Sequence, residues 1–302
     1  MFDTICMSGG GLKTASFIGA LKALVKYKII DMENIKTYIA VSGGALMSFL
    51  FVLGYSLDET IKEIYKADSS ILKPKIDSSL FLSKCGIEKG DNFIEFFKIY
   101  IRKKLNRNDV TLKELYEITG KKLIVAVTNY TKGKPEYISY ETDPELNLTK
   151  ALRMTCSIPF YFTPVLYNDN YYVDGGLLDN FPMEQGNQKT TIGFSVIREK
   201  DTYEIKNLLN YAQDLYTIVY RNLIEKYNEG HVINVRIDNV ALTDFNLSEE
   251  EITKIFKTGF HQTSEIIKEK YESHFVVKEI LDTILTQDVF DKIENNEKTN
   301  NN

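Results

Sequence analysis

YIAVSGGALMSFLFVL, residues 38–53, is the stretch whose reading decides the fold. Ile39 and Val41 belong to a short β-branched apolar run, Ser42 ends it, Gly43 and Gly44 follow, and an apolar helix-forming segment continues from there. That order of properties describes a strand, a tight turn and a helix. Such a turn lifts its serine to the carboxyl edge of a sheet. The paired glycines admit dihedrals closed to bulkier residues, so the hydroxyl can stand clear of the turn with N–H groups beside it. The following helix aims its positive end at the same point. This is a seat for a nucleophile. The elbow pattern is G-x-S-x-G, however, and Ala40 holds its first position here, giving A-V-S-G-G. Two readings stand from this stretch alone: a nucleophile elbow, and a glycine-rich connection with an unrelated serine.

Upstream, FDTICM (residues 2–7) reads as a first buried strand that breaks at Ser8-Gly9-Gly10-Gly11. Phe17, Ala20, Leu21 and Leu24 then recur at helical spacing over residues 14–27. A glycine loop between strand and helix offers consecutive N–H groups to an anion. It is not a Walker loop, because Leu12 precedes Lys13-Thr14 and no glycine stands at Cys6 or Met7. It is not a dinucleotide fingerprint either, since Thr14 takes the third glycine position after Gly9 and Gly11. What remains is a cradle for the short-lived oxyanion of an acyl transfer, or a plain glycine turn.

Downstream, Ser56–Glu59, Thr111–Glu114 and Ser248–Glu251 are capping boxes that head helices. Residues 68–90 lack a clear period and predict a long surface excursion of the kind that serves as a lid or binding loop. Phe93, Phe96, Phe97, Tyr100 and Ile101 share one face of a helix over residues 91–105, packed in the core or turned toward lipid. KLIVAVT (residues 122–128) is a buried strand, and residues 136–140 are another. The segment from Ala151 to Pro182 starts helical, stops at Ser157-Ile158-Pro159, forms short strands near Pro164 and Tyr172, and reaches Asp174-Gly175-Gly176. There a carboxylate at a strand end can swing toward a neighbouring strand, or the pair can simply be a hairpin turn. A strand over 191–196, a helix over 203–227, a strand over 231–237 and helices over 248–271 and 275–286 follow, with a polar tail at 287–302. Strand–helix alternation predicts an α/β fold, a three-layer α/β/α sandwich on a mostly parallel sheet, with chemistry at the strand carboxyl ends.

The 302 residues, 43% hydrophobic and 12% aromatic, are ample for a large core. A net charge of -5 without a basic block gives no nucleic-acid surface. Cys6, Cys85 and Cys156 form neither a disulfide framework nor a zinc site, which points to a reducing compartment. The N-terminus has no basic region or cleavage site of a secretory signal, and the most apolar stretch, residues 43–53, is too short to span a bilayer. A cytoplasmic location is expected.

A triple-glycine loop, a serine turn and D-G-G, in that order, resemble the patatin-like phospholipase family. SGGGLKTASFIGALKAL is similar to its oxyanion loop and first helix, AVSGGAL to its serine elbow, ALRMTCSIPFYFTPV to the segment between its catalytic residues, and VDGGLLDNFP to its aspartate motif. The resemblance implies a single catalytic domain over residues 1–286. It implies Ser42 as nucleophile, Asp174 as its partner, and the amides of Gly9, Gly10, Gly11 and Gly43 as an oxyanion hole. It implies a lipid substrate taken from a membrane surface by peripheral contact. Two departures, Thr14 after the basic residue and Ala40 at the elbow, put local geometry and efficiency in question and keep a vestigial, lipid-binding member in view. Of the three histidines, His231 opens a strand while His261 and His274 lie in charged helical surroundings, so a Ser–Asp dyad fits better than a Ser-His-Asp triad. An exposed aspartate is a weak base at neutral pH, so Asp174 must be partly desolvated and reach Ser42 directly. Lys13 can face a phosphate headgroup or lie solvated on the first helical turn; the solvated placement is expected. No calcium loop and no histidine pair at ligand spacing occurs, so hydrolysis without metal or cofactor is expected.

Overall fold

The computed structural model describes residues 1–66, 75–197, 204–205, 207–224, 231–238, 240–242, 244–245 and 247–271. The helix expected over 275–286 and the tail at 287–302 lie outside them, as does His274. Strand β1 (Thr4–Met7) leads through the glycine loop into α1 (Ala15–Lys26), and β2 (Thr37–Ala40) leads through Ser42 into α2 (Gly43–Val52). Helices α3 (Leu57–Lys66), α4 (Leu80–Lys84), α5 (Asp91–Leu105) and α6 (Leu112–Thr119) precede β3 (Lys122–Asn129) and β4 (Lys134–Ile138). Then come α7 (Leu148–Thr155), β5 (Val165–Tyr167), β6 (Asn170–Asp174), β7 (Thr191–Ile197), α8 (Leu208–Ile224), β8 (Val232–Arg236) and α9 (Glu249–Tyr271).

The sheet runs β5-β6-β3-β2-β1-β7-β8, with β4 pairing to β3 off that path. Pairings among β1, β2, β3, β7 and β8 are parallel, and those of β3 with β4 and β6, and of β5 with β6, are antiparallel. The result is a mostly parallel, mixed sheet with helices around it. β1 is buried throughout and β3 and β7 nearly so, which is why they read as continuous apolar runs rather than alternating ones.

All three capping boxes form, each with the hydroxyl accepting from the N3 amide and the glutamate accepting from the cap amide. The apolar face of α5 packs inward, with Phe49 edge-on to both Phe97 and Tyr100. The expected excursion stays at the surface over residues 75–85 and needs correction at its end, where residues 86–88 are buried. Residues 80–84 are helical, and Ile87 and Glu88 are buried, their amides donating to the Tyr161 carbonyl at 2.9 Å. The cause is a long-range one: the Lys89 carbonyl and Gly90 lie against the buried Arg153 side chain.

Candidate active site

The elbow takes a conformation that few residues tolerate. Ser42 has φ 50° and ψ −122°, so the turn stores strain at the one position where a hydroxyl must be displayed. It follows the carboxyl end of β2, and all ten residues of α2 behind it are buried. A Cβ on Gly43 would lie 2.2 Å from the Gly11 carbonyl oxygen, so the serine turn and the glycine loop touch backbone to backbone. Ala40, by contrast, is an ordinary strand residue paired with Met7 and Val125. Thr14 has a helical φ of −65° and donates its hydroxyl to the Gly11 carbonyl at 2.7 Å. Neither departure sits where glycine dihedrals are required.

Asp174 ends β6 opposite Val127 of β3 and is 0% exposed. Its Oδ1 accepts from the Gly176 amide at 2.8 Å and from the Tyr216 hydroxyl at 2.9 Å. Its Oδ2 is buried and has no hydrogen-bond partner among the described residues. Burial raises the carboxyl pKa to about 6, against the pull of the Ser42 hydroxyl, the Gly176 amide, the Tyr216 hydroxyl and the Arg153 charge. The Ser42 hydroxyl is near enough to act on the carboxylate yet outside strict hydrogen-bond geometry, a looseness common in substrate-free sites.

Several neighbours that hold this arrangement were not legible beforehand. Thr155 Oγ1 accepts from the Ser42 amide at 3.0 Å and donates to the Ala126 carbonyl at 2.6 Å. Cys156 donates its thiol to the Ser42 carbonyl at 3.4 Å, and burial pushes that thiol well above its usual pKa. Arg153, buried with its pKa pulled down to about 10 by desolvation, donates to the Lys89 and Thr163 carbonyls and to Ser157 Oγ. The Ser157 carbonyl in turn accepts from the Asp174 amide. The one sequence signal was an arginine inside the apolar run ALRMTCS.

Of the four amides named for an oxyanion hole, that of Gly9 is committed to the Asn180 carbonyl at 3.2 Å and drops out. The amides of Gly10, Gly11 and Gly43 make no hydrogen bond among the described residues. Gly11, Ser42 and Gly43 line a narrow cavity whose other walls are Leu46, Phe93, Cys156, Ile158 and Phe245. Lys13 is 1% exposed, which overturns its solvated placement; the 3-10 turn Gly11–Thr14 that carries it is buried throughout. His231 precedes β8 and so lies at the amino end of the parallel strands, the opposite end from Ser42, with its ring against Phe2. His261 is exposed on α9. Neither shares the dyad's surroundings.

A family model described as patatin-like phospholipase matches residues 5–186. A probable lipid hydrolase of Invertebrate iridescent virus 6 is 30% identical over 273 residues, spanning 87% of this chain and 92% of the relative. An uncharacterized protein of Acanthamoeba polyphaga mimivirus is 26% identical over 280 residues, spanning 87% of this chain and 93% of the relative. VipD from Legionella pneumophila shares the fold, with a TM-score of 0.64 at 17% identity across 89% of this chain and 67% of that one. The match takes in more than half of the chain, from the first strand past the D-G-G turn, and on that ground the chain belongs to the patatin-like phospholipase family of lipid hydrolases.

Proposed function

We propose that the protein hydrolyses carboxylic ester bonds of phospholipids and related lipids through an acyl-Ser42 intermediate, with Asp174 as the base. The observation that carries this reading is Asp174 itself: a fully buried carboxylate, one oxygen fixed by two donors and the other without a hydrogen-bond partner among the described residues, its pKa drawn down by the Ser42 hydroxyl. With a pKa of about 6 it is ionised at neutral pH, yet a far better proton acceptor than a solvated aspartate. Ser42 Oγ attacks the ester carbonyl as its proton passes to Asp174. The negative charge that builds on the carbonyl oxygen is met by amides of Gly10, Gly11 and Gly43, each such donor being worth roughly 3 kcal/mol in comparable sites. Asp174 then gives its proton to the leaving alcohol. Water enters, loses a proton to Asp174 as it attacks the acyl group, and the proton returns to Ser42 as the acid departs. The Arg153 charge favours the ionised carboxylate between steps. The mechanism calls on no histidine, metal ion or cofactor.

The test is a panel of phospholipids and neutral glycerides assayed by product mass, with fluorophosphonate labelling alongside. Ser42→Ala and Asp174→Asn are each expected to lower kcat/KM by at least about a thousandfold while the fold persists. Replacing all three histidines with alanine leaves activity in place. An Asp174→Asn variant that keeps most of its activity would end the dyad reading, and a parent that is neither labelled at Ser42 nor active on any lipid would end the enzymatic one.

A further inference from the structure

Helix α8 carries two unlike faces. Tyr216 and Thr217 are buried, and Tyr216 reaches Asp174 through its hydroxyl. Leu208, Tyr211, Leu215 and Val219 face outward, with Leu208 65% and Leu215 46% exposed. At helical spacing these four positions fall within an arc of about 80°, a continuous apolar stripe three turns long. None of them is charged, and the 17-residue helix contains one acidic and one basic residue, Asp214 and Arg221. The element that α8 meets most is the tight turn Gly175–Leu177 next to Asp174, and Leu178 beyond that turn is exposed as well. A coherent exposed apolar surface of this kind marks a docking face.

We propose that the α8 stripe is the surface by which the protein lies on lipid, its leucines and Tyr211 inserted at the boundary between headgroups and acyl chains. The proposal rests on the reading of the site as a lipid ester hydrolase, and it says where that enzyme meets its substrate. Three observations favour a lipid layer as the occupant. Tyr216, the residue after Leu215 on the flank of the stripe, hydrogen-bonds Asp174, so docking here sets the layer against the helix that holds the base. The walls of the narrow cavity at Ser42 include Leu46, Phe93, Ile158 and Phe245, an apolar lining of the kind a lipid ester would meet. The net charge of -5 gives no general electrostatic attraction to anionic membranes, so contact must come from apolar insertion.

The experiment uses the full chain carrying Ser42→Ala, to stop turnover, and phosphatidylcholine vesicles. Sedimentation gives the partition coefficient. Adding Leu208→Glu and Leu215→Glu should lower it by at least about tenfold, with an unchanged thermal midpoint. Leu215→Trp supplies the second reading, because the chain contains no tryptophan. The introduced indole should keep vesicle binding and shift its emission to the blue on contact with lipid. The proposal fails if the Ser42→Ala protein does not partition, if the glutamate variants partition as it does, or if the indole emission stays unshifted while the protein is bound. It also fails if the glutamates convert a lipid-free dimer into monomers without changing partition, for then the stripe pairs two copies. Hydrolysis of a water-soluble short-chain ester by the active chain is measured separately; its absence counts against the site reading, and the vesicle result still decides this one.

Discussion

Asp174 binds its proton more tightly in the folded chain than in the unfolded one, about 6 against 3.8. Its contribution to stability is therefore fully present below pH 4 and is lost as the pH rises through 6, by about 3 kcal/mol. Asn at 174 can still accept from Gly176 and Tyr216 but has no charge to bury. Asp174→Asn should thus be inactive and yet gain on the parent in urea denaturation between pH 4 and pH 7, with the advantage flat above that. The same titration governs catalysis with the opposite benefit: kcat/KM should fall as the pH drops through about 6, because the base must be ionised to act. Tyr216→Phe removes one donor from the carboxylate and keeps the ring. The acid limb of the pH profile should then move up by about one unit, a displacement that a purely structural lesion would not produce.

Among the elements, the α1–α9 crossing is the most exacting contact. A Cβ on Gly19 would lie 2.0 Å from the Phe256 carbonyl oxygen, and one on Gly259 would lie 1.9 Å from that of Ser16. The two helix backbones meet where side chains would otherwise hold them apart. Gly259→Ala should cost roughly 1–3 kcal/mol in urea denaturation, since the pair must separate to admit one methyl group. Local signals decided how much of this level was legible. The capping boxes and the serine turn were readable because their partners lie within four residues, and the buried strands because each is a local apolar run, although the strands they pair with lie 33 to 187 residues away. The close crossing was not, because nothing near Gly19 in sequence announces a helix more than two hundred residues away. Nor was the inward turn at residues 86–90, whose shape follows the buried Arg153.

Across the whole molecule, the candidate site is assembled from residues 9–11, 42–43, 153–157, 174–176 and 216, a spread that only the complete sheet can close. Motif order revealed the reacting groups; Thr155 and Tyr216 stayed hidden because a threonine or a tyrosine carries no mark of its long-range role. One consequence is that fluorophosphonate labelling of Ser42, followed against urea, should vanish together with the far-UV circular dichroism signal. Another lies in β3. The Ala126 carbonyl accepts from Thr155, which holds the Ser42 amide, while Val127 pairs with Asp174 and the Thr128 hydroxyl donates to the Asp174 carbonyl. Nucleophile and base are thus moored to three successive residues of a single strand. When that strand breathes, both ride on the same keel. Thr155→Val cuts one mooring line and strips the buried Ser42 amide and Ala126 carbonyl of that partner, so kcat should fall and the unfolding midpoint should drop with it.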